Sequence, residues 1–192
     1  MSNIQLPSGL VDENTEVFSH NGEPMALHNG QAKKLFELPL TILRILNEDL
    51  KNNESAETAL TLAGYTNEAE RLKKYCVCRF GSIDASPDIV NGKLGKSEHY
   101  DCGFRGSCAM EGIVCGELFV NGHVLTPFEV RMIKSLSTEE LLPVVAETLQ
   151  VSMTTFEIRK KLLFEKLKVQ TRSGMVSAAY KLGILNAAPC IN

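Results

Sequence analysis

Apolar and polar positions divide the chain into stretches with different periods. Between residues 1 and 36 apolar residues stand in short groups, interrupted by the triplets His20-Asn21-Gly22 and His28-Asn29-Gly30. Asn-Gly is the strongest short signal for a two-residue hairpin, because both residues tolerate the positive φ that such turns need. The stretch therefore reads as a small β-hairpin or meander, with the two histidines as turn neighbours rather than a metal pair. After Leu38-Pro39 the period changes. Leu40, Ile42, Leu43, Ile45, Leu46 and Leu50 recur at helical intervals and stop at Lys51-Asn52-Asn53. A second helix is predicted over 54–64, capped by Asn53 or Ser55. A third, introduced by Thr66-Asn67-Glu68, runs to about Cys78. Residues 79–124 are different again: rich in glycine, poor in long apolar runs, with another turn at Asn91-Gly92. A stretch of that kind needs a staple to hold a shape.

From Leu125 the helical period returns. Thr126-Pro127-Phe128-Glu129 combines a capping box with proline at the first helical position. Val130, Ile133 and Leu136 form the apolar stripe of that helix, and residues 137–142 break it. Pro143 begins a short helix facing inward through Val145, Ala146 and Leu149. Gln150-Val151-Ser152 is a tight turn, and Ser152 caps a longer helix through Leu167. On that helix Phe156, Leu163 and Leu167 point inward, while Arg159, Lys160, Lys161 and Lys166 point outward. Thr171 caps a last helix bearing Met175, Ala179 and Leu182, ended by Gly183. The fold class expected is mainly α with small β elements. It has two domains: a cysteine-rich, metal-stapled α+β region over 1–124 and a four-helix module over 125–192.

Charge follows this division. Residues 1–124 carry 11 basic and 17 acidic side chains; residues 125–192 carry 9 and 6, and within 152–172 the ratio is 6 to 2. An acidic front and a basic back imply different partners for the two halves. Apolar residues make up 44% and charged residues 22%, ordinary values for a chain able to bury a core, so disorder is not the default reading. The first residues lack the basic and apolar regions of a secretion signal. No apolar run approaches the roughly 20 residues of a membrane helix. A cytoplasmic protein is expected, and in a reducing compartment cysteines are not disulfide partners.

That expectation gives the cysteines another role. Cys78, Cys102, Cys108 and Cys115 form a C-x23-C-x5-C-x6-C array, with Cys76, His99 and His123 as reserves. Four thiolates suit tetrahedral zinc or a four-iron, four-sulfide cluster. Gly103, Gly106, Gly112 and Gly116 would let the loop wrap the metal, and Arg105 would offset its charge. Structural zinc is the reading favoured, with a 4Fe-4S cluster as the alternative. An enzyme is not expected. There is no zinc-deaminase pattern, phosphate loop, nucleophile elbow or redox Cys-x-x-Cys, and Glu111, between Cys108 and Cys115, reads as a surface charge or a cap.

A three-residue turn before a basic helix describes a helix-turn-helix. Residues 125–185 resemble the LuxR-type (GerE-like) DNA-binding domain. Its opening Leu-Thr-Pro-x-Glu stands at Leu125, Thr126, Pro127 and Glu129. Its alanine and leucine stand at Ala146 and Leu149, and its apolar-then-serine turn at Val151 and Ser152. Its closing Lys-Leu-x-Val-x-(Ser/Thr)-Arg stands at Lys166, Leu167, Val169, Thr171 and Arg172. The resemblance implies a transcriptional regulator that binds double-stranded DNA, usually as a homodimer. Its DNA contacts would come from Thr155, Glu157, Arg159, Lys160 and Lys161, with Ser152, Lys166 and Arg172 also facing DNA. Position 157, commonly lysine in that family, is glutamate here, and Leu141 and Leu142 replace polar capping residues. These departures favour the alternative function, a protein-interaction or structural role for a degenerate helix-turn-helix. For 1–124 no family is recognised.

Overall fold

Four Asn-Gly pairs shape the β structure of the computed structural model, which describes residues 6–185. Asn21-Gly22, Asn29-Gly30, Asn91-Gly92 and Asn121-Gly122 all have both residues at positive φ, between 50° and 84°. Each closes a two-residue hairpin, as that backbone twist requires. The first two connect β1 (Thr15–His20), β2 (Glu23–His28) and β3 (Gln31–Lys34) into the expected meander. His20 and His28 each lie beside the Asn side chain that follows, at 3.3 Å, and His28 also meets Thr15 Oγ1 at 2.9 Å. The third joins β4 (Ile89–Val90) to β5 (Lys93–Leu94), and the fourth joins β6 (Leu118–Val120) to β7 (His123–Leu125). Thr15 pairs with Ile89, so five strands form one antiparallel sheet in the order β3-β2-β1-β4-β5.

Three helices accompany that sheet: α1 (Leu40–Asn52), α2 (Glu54–Leu62) and α3 (Glu68–Arg79). Asn53 and Asn67 cap the second and third through their side-chain oxygens, as their positions before the apolar stripes predict. Ile42, Leu46 and Leu50 form the buried stripe of α1, whereas Leu40, at its first turn, stays exposed. Tyr75 and Phe80 are fully buried in the same unit, and the Tyr75 hydroxyl donates to Asp49 at 2.5 Å.

Four further helices follow: α4 (Pro127–Leu136), α5 (Leu142–Thr148), α6 (Met153–Leu167) and α7 (Arg172–Lys181). Their stripes meet in one core of Val130, Met132, Ile133, Leu136, Val145, Ala146, Phe156, Leu163, Met175 and Ala179. The caps expected at Thr126, Ser152 and Thr171 are all made. The architecture is mixed α+β rather than mainly α with incidental strands, because the sheet carries much of the first unit. The chain partitions into residues 1–102 with 112–116, and 103–111 with 117–192. A boundary at 124/125 was expected from the change of period. The hairpin β6–β7 instead packs Leu118, Val120 and Leu125 into the helical core, which places it with the second unit. No helix of the described residues is long and apolar enough to cross a membrane.

Candidate nucleic-acid interface

The second unit is built to present α6. The Leu149–Ser152 turn that precedes it closes with Gln150 N–H donating to Glu147 O and Val151 N–H donating to Ala146 O, and Gln150 is left-handed at φ 56°. This double closure ends α5 and redirects the chain within four residues. Ser152 Oγ then accepts from Thr155 N at 3.2 Å and starts α6. Phe156, Leu163 and Leu167 bury one face, while Thr154, Glu157, Ile158, Lys161, Leu162 and Glu165 occupy the exposed one.

The residues expected to touch DNA divide into two groups. Lys166 and Arg172 are structural. Lys166 Nζ donates to Glu129 at 2.8 Å and to Val124 O at 3.1 Å, tying the end of α6 to the start of α4. Arg172 donates through Nε to Leu136 O at 2.6 Å, through one terminal nitrogen to Glu140 O at 3.1 Å, and through the other to Thr138 O. It thereby satisfies the carbonyl at the end of α4, as cations near a helix C-terminus do, and two more in the segment that follows. Ser152 is spent on the cap, and half-buried Thr155 receives a hydrogen bond from it at 2.9 Å.

The remaining four lie at the surface or close to it. Glu157 pairs with Lys160 at 2.7 Å along the same helix, so these two charges offset one another. Arg159 stacks over the Phe128 ring at 4.2 Å, which fixes its guanidinium while leaving it exposed. Lys161 is exposed and enters no ion pair among the described residues. Between these charges lie Ile158, 58% exposed, and Leu162, 51% exposed, one turn apart on the same face. They are the residues sequence reasoning passed over. The signal was present: once Phe156, Leu163 and Leu167 fill the inward stripe, any other aliphatic residue on α6 must face water.

Electrostatics act most clearly at the root of the interface. Glu129 is partly desolvated, which alone would raise its pKa. The Lys166 ammonium and the Thr126 donors outweigh this and hold the carboxyl below its ordinary value. An apolar groove of about 590 Å³ is lined by Leu136, Leu142, Phe164 and Val169 together with Lys160, Lys161, Glu165, Gln170 and Arg172.

Cys78, Cys102 and Cys115 belong to the first unit and Cys108 to the second. Cys78 and Cys115 are buried, Cys102 and Cys108 half-buried. Cys76 is wholly buried on α3, and burial pushes its thiol pKa far up. Locally the loop has thiolate-binding features. Gly103, Gly106 and Gly112 have positive φ, and Met110 N–H points at Cys108 Sγ at 3.4 Å. Among the described residues, however, the three-membered group of metal-ligating atoms within 4.8 Å of one another is Glu16, Asp84 and Glu98; the thiols of Cys78, Cys102 and Cys115 do not meet at that distance. Compared with family models, with curated proteins and with solved structures, the chain finds no match in any of the three.

Proposed function

We propose that the second unit is the DNA-binding module of a transcriptional regulator, with α6 lying in the major groove. One observation carries the reading. A capped fifteen-residue helix follows a four-residue turn, with its apolar face held by three other helices and its opposite face left to solvent. That is the arrangement by which a recognition helix reaches base edges. Glu157 fits a cytosine amino group as acceptor, Arg159 a guanine edge or a phosphate, and Lys161 a phosphate. Fluorescence anisotropy with duplex DNA at about 50 mM salt tests this, since non-specific binding is strongest there. Binding that K161A weakens across all sequences, and that R159A weakens more at particular ones, supports the reading. No binding at low salt ends it.

The exposed pair Ile158 and Leu162, together with Leu141 at 73% exposure, favours a second reading in which α6 docks on a protein. Such a contact would persist at high salt and be lost on Ile158→Asp. The cysteine-ligated zinc, or a 4Fe-4S cluster in its place, belongs to the regulator reading on the strength of its spacing. Metal content and the visible spectrum of protein purified without oxygen test it. One zinc per chain, or iron with sulfide, supports the centre, and metal-free folded protein ends it.

A further inference from the structure

The central strand β1 holds a carboxylate where a strand covered on both faces would ordinarily hold an apolar residue. Thr15, Glu16 and Val17 are all buried, Glu16 and Val17 completely. Glu16 Oε1 accepts from Asp84 N at 2.8 Å. Its Oε2 is buried and makes no hydrogen bond among the described residues, although the Asp88 backbone N–H also acts on this carboxyl. A charged oxygen withdrawn from water without a donor is costly and calls for a counter-charge.

Its surroundings supply no cationic side chain, and Asp84, Glu98 and the buried Asp88 add negative charge. Oxygens of Glu16, Asp84 and Glu98 all lie within 4.8 Å of one another. Asp84 comes from the loop after α3, and Glu98 from the segment after β5. A backbone N–H fixes each of them: Ser86 N donates to Asp84 Oδ1 at 2.5 Å, and Ser82 N to Glu98 Oε1 at 2.7 Å. No Lys or Arg pairs with any of the three among the described residues. Burial, with repulsion among these carboxylates, pushes Glu16 and Glu98 up to about 7. Oxygens ligating one Ca²⁺ at 2.3–2.6 Å stand at most about 5 Å apart, so the spacing suits a shared ion.

We infer that Glu16, Asp84 and Glu98 form a binding site for a hard divalent cation, Ca²⁺ or Mg²⁺, with the fully buried Glu16 as its innermost member. Three carboxylates and no sulfur or imidazole select hard cations over zinc. Asp84 is exposed and Glu98 half-buried, so the outer side is open for water to complete the coordination. The site ties β1 to the Asp84 loop and to the Glu98 segment, and it stands independently of the DNA reading.

The test is calorimetric titration of chelator-treated, full-length protein with CaCl₂ and, separately, MgCl₂, at about pH 8 so that ligands are deprotonated. One site per chain is expected for at least one ion. Asp84→Asn and Glu98→Gln should each weaken it by about tenfold or more, as loss of a metal-ordering group does. The circular dichroism of both variants should match wild type, since neither side chain is part of the core. Saturating ion should raise the wild-type Tm by about 5 °C and leave that of the double variant unchanged. Two results overturn the inference: neither ion binds, or the variants bind as wild type does. If wild type takes up no ion while Glu16→Gln raises Tm, protons hold the cluster together instead.

Discussion

Gln150 and Lys168 hold left-handed backbone, at φ 56° and 54°, where helix ends more often place glycine. Both sit in the same double closure: Val151 N donates to Ala146 O after α5, and Val169 N to Phe164 O after α6. A side chain at such a φ costs about 1–2 kcal/mol, and glycine returns about half of that through the freer unfolded chain. Gln150→Gly and Lys168→Gly are therefore each expected to raise stability by about 0.5–1 kcal/mol. A denaturant midpoint that rises at constant slope would show it; a midpoint that falls would mean the side chains make contacts worth more than the strain. Arg172 belongs to the same scale. With three backbone carbonyls depending on it, Arg172→Ala should cost about 2–3 kcal/mol. Lysine, which lacks the planar fork, should recover less than half. Stability unchanged in the alanine variant would release Arg172 to a phosphate. As a sequence letter Arg172 looked like a free cation at a helix start. Only the fold brings Leu136, Thr138 and Glu140 within its reach.

At the scale of elements, the start of α4 shows how a local signal gains a distant partner. The Thr126–Glu129 capping box is readable in four residues, and both of its hydrogen bonds form. The third participant, Lys166, lies 37 residues further on. Because Glu129 titrates below its ordinary value in the folded state, the unfolded chain takes up the proton first as pH falls. This contribution is therefore present above the normal carboxylate range and is lost as pH drops through the folded pKa. Glu129→Gln should cost about 1–2 kcal/mol at neutral pH and much less in acid, since cap and charge-assisted bonds go together. Unfolding curves at two pH values, for both proteins, decide it. Equal losses at the two would mean the carboxylate charge contributes nothing. The hairpins are the opposite case. Asn-Gly needs no distant partner to prefer its turn, so the pairs at 21, 29 and 91 were legible at once, and the pair at 121 carried the same signal. Its neighbours Leu118 and Val120 read as part of a loop-rich region and prove to be part of the helical core, beside Leu125.

For the whole molecule, charge counting and geometry lead to different expectations. Six cations between 152 and 172 would give a salt slope near −5 for a module contacting DNA through all of them, at about −0.9 per phosphate. The structure commits Lys166 and Arg172 to internal bonds and Lys160 to Glu157, leaving Arg159, Lys161 and Lys168. The slope expected for one module is therefore about −2.7, and about twice that for a dimer. Anisotropy titrations from low to high salt measure it, and a slope near −5 with monomeric protein would show that the internal bonds open on binding.

What the sequence by itself determined was everything governed by neighbours within a few residues. This covers the Asn-Gly turns, the caps at Asn53, Asn67, Thr126, Ser152 and Thr171, and the helix spans with their apolar stripes. Backbone φ preferences and hydrogen bonds three or four residues apart depend on little else. Tertiary structure alone decided which polar groups would meet. Glu16, Asp84 and Glu98 are separated by up to 82 residues, and no periodicity marks them. Cysteine spacing along the chain likewise said nothing of which thiols fall in which unit. A buried charge, or a cation spent on a carbonyl, is defined by what long-range packing brings beside it. Local pattern carries no record of that.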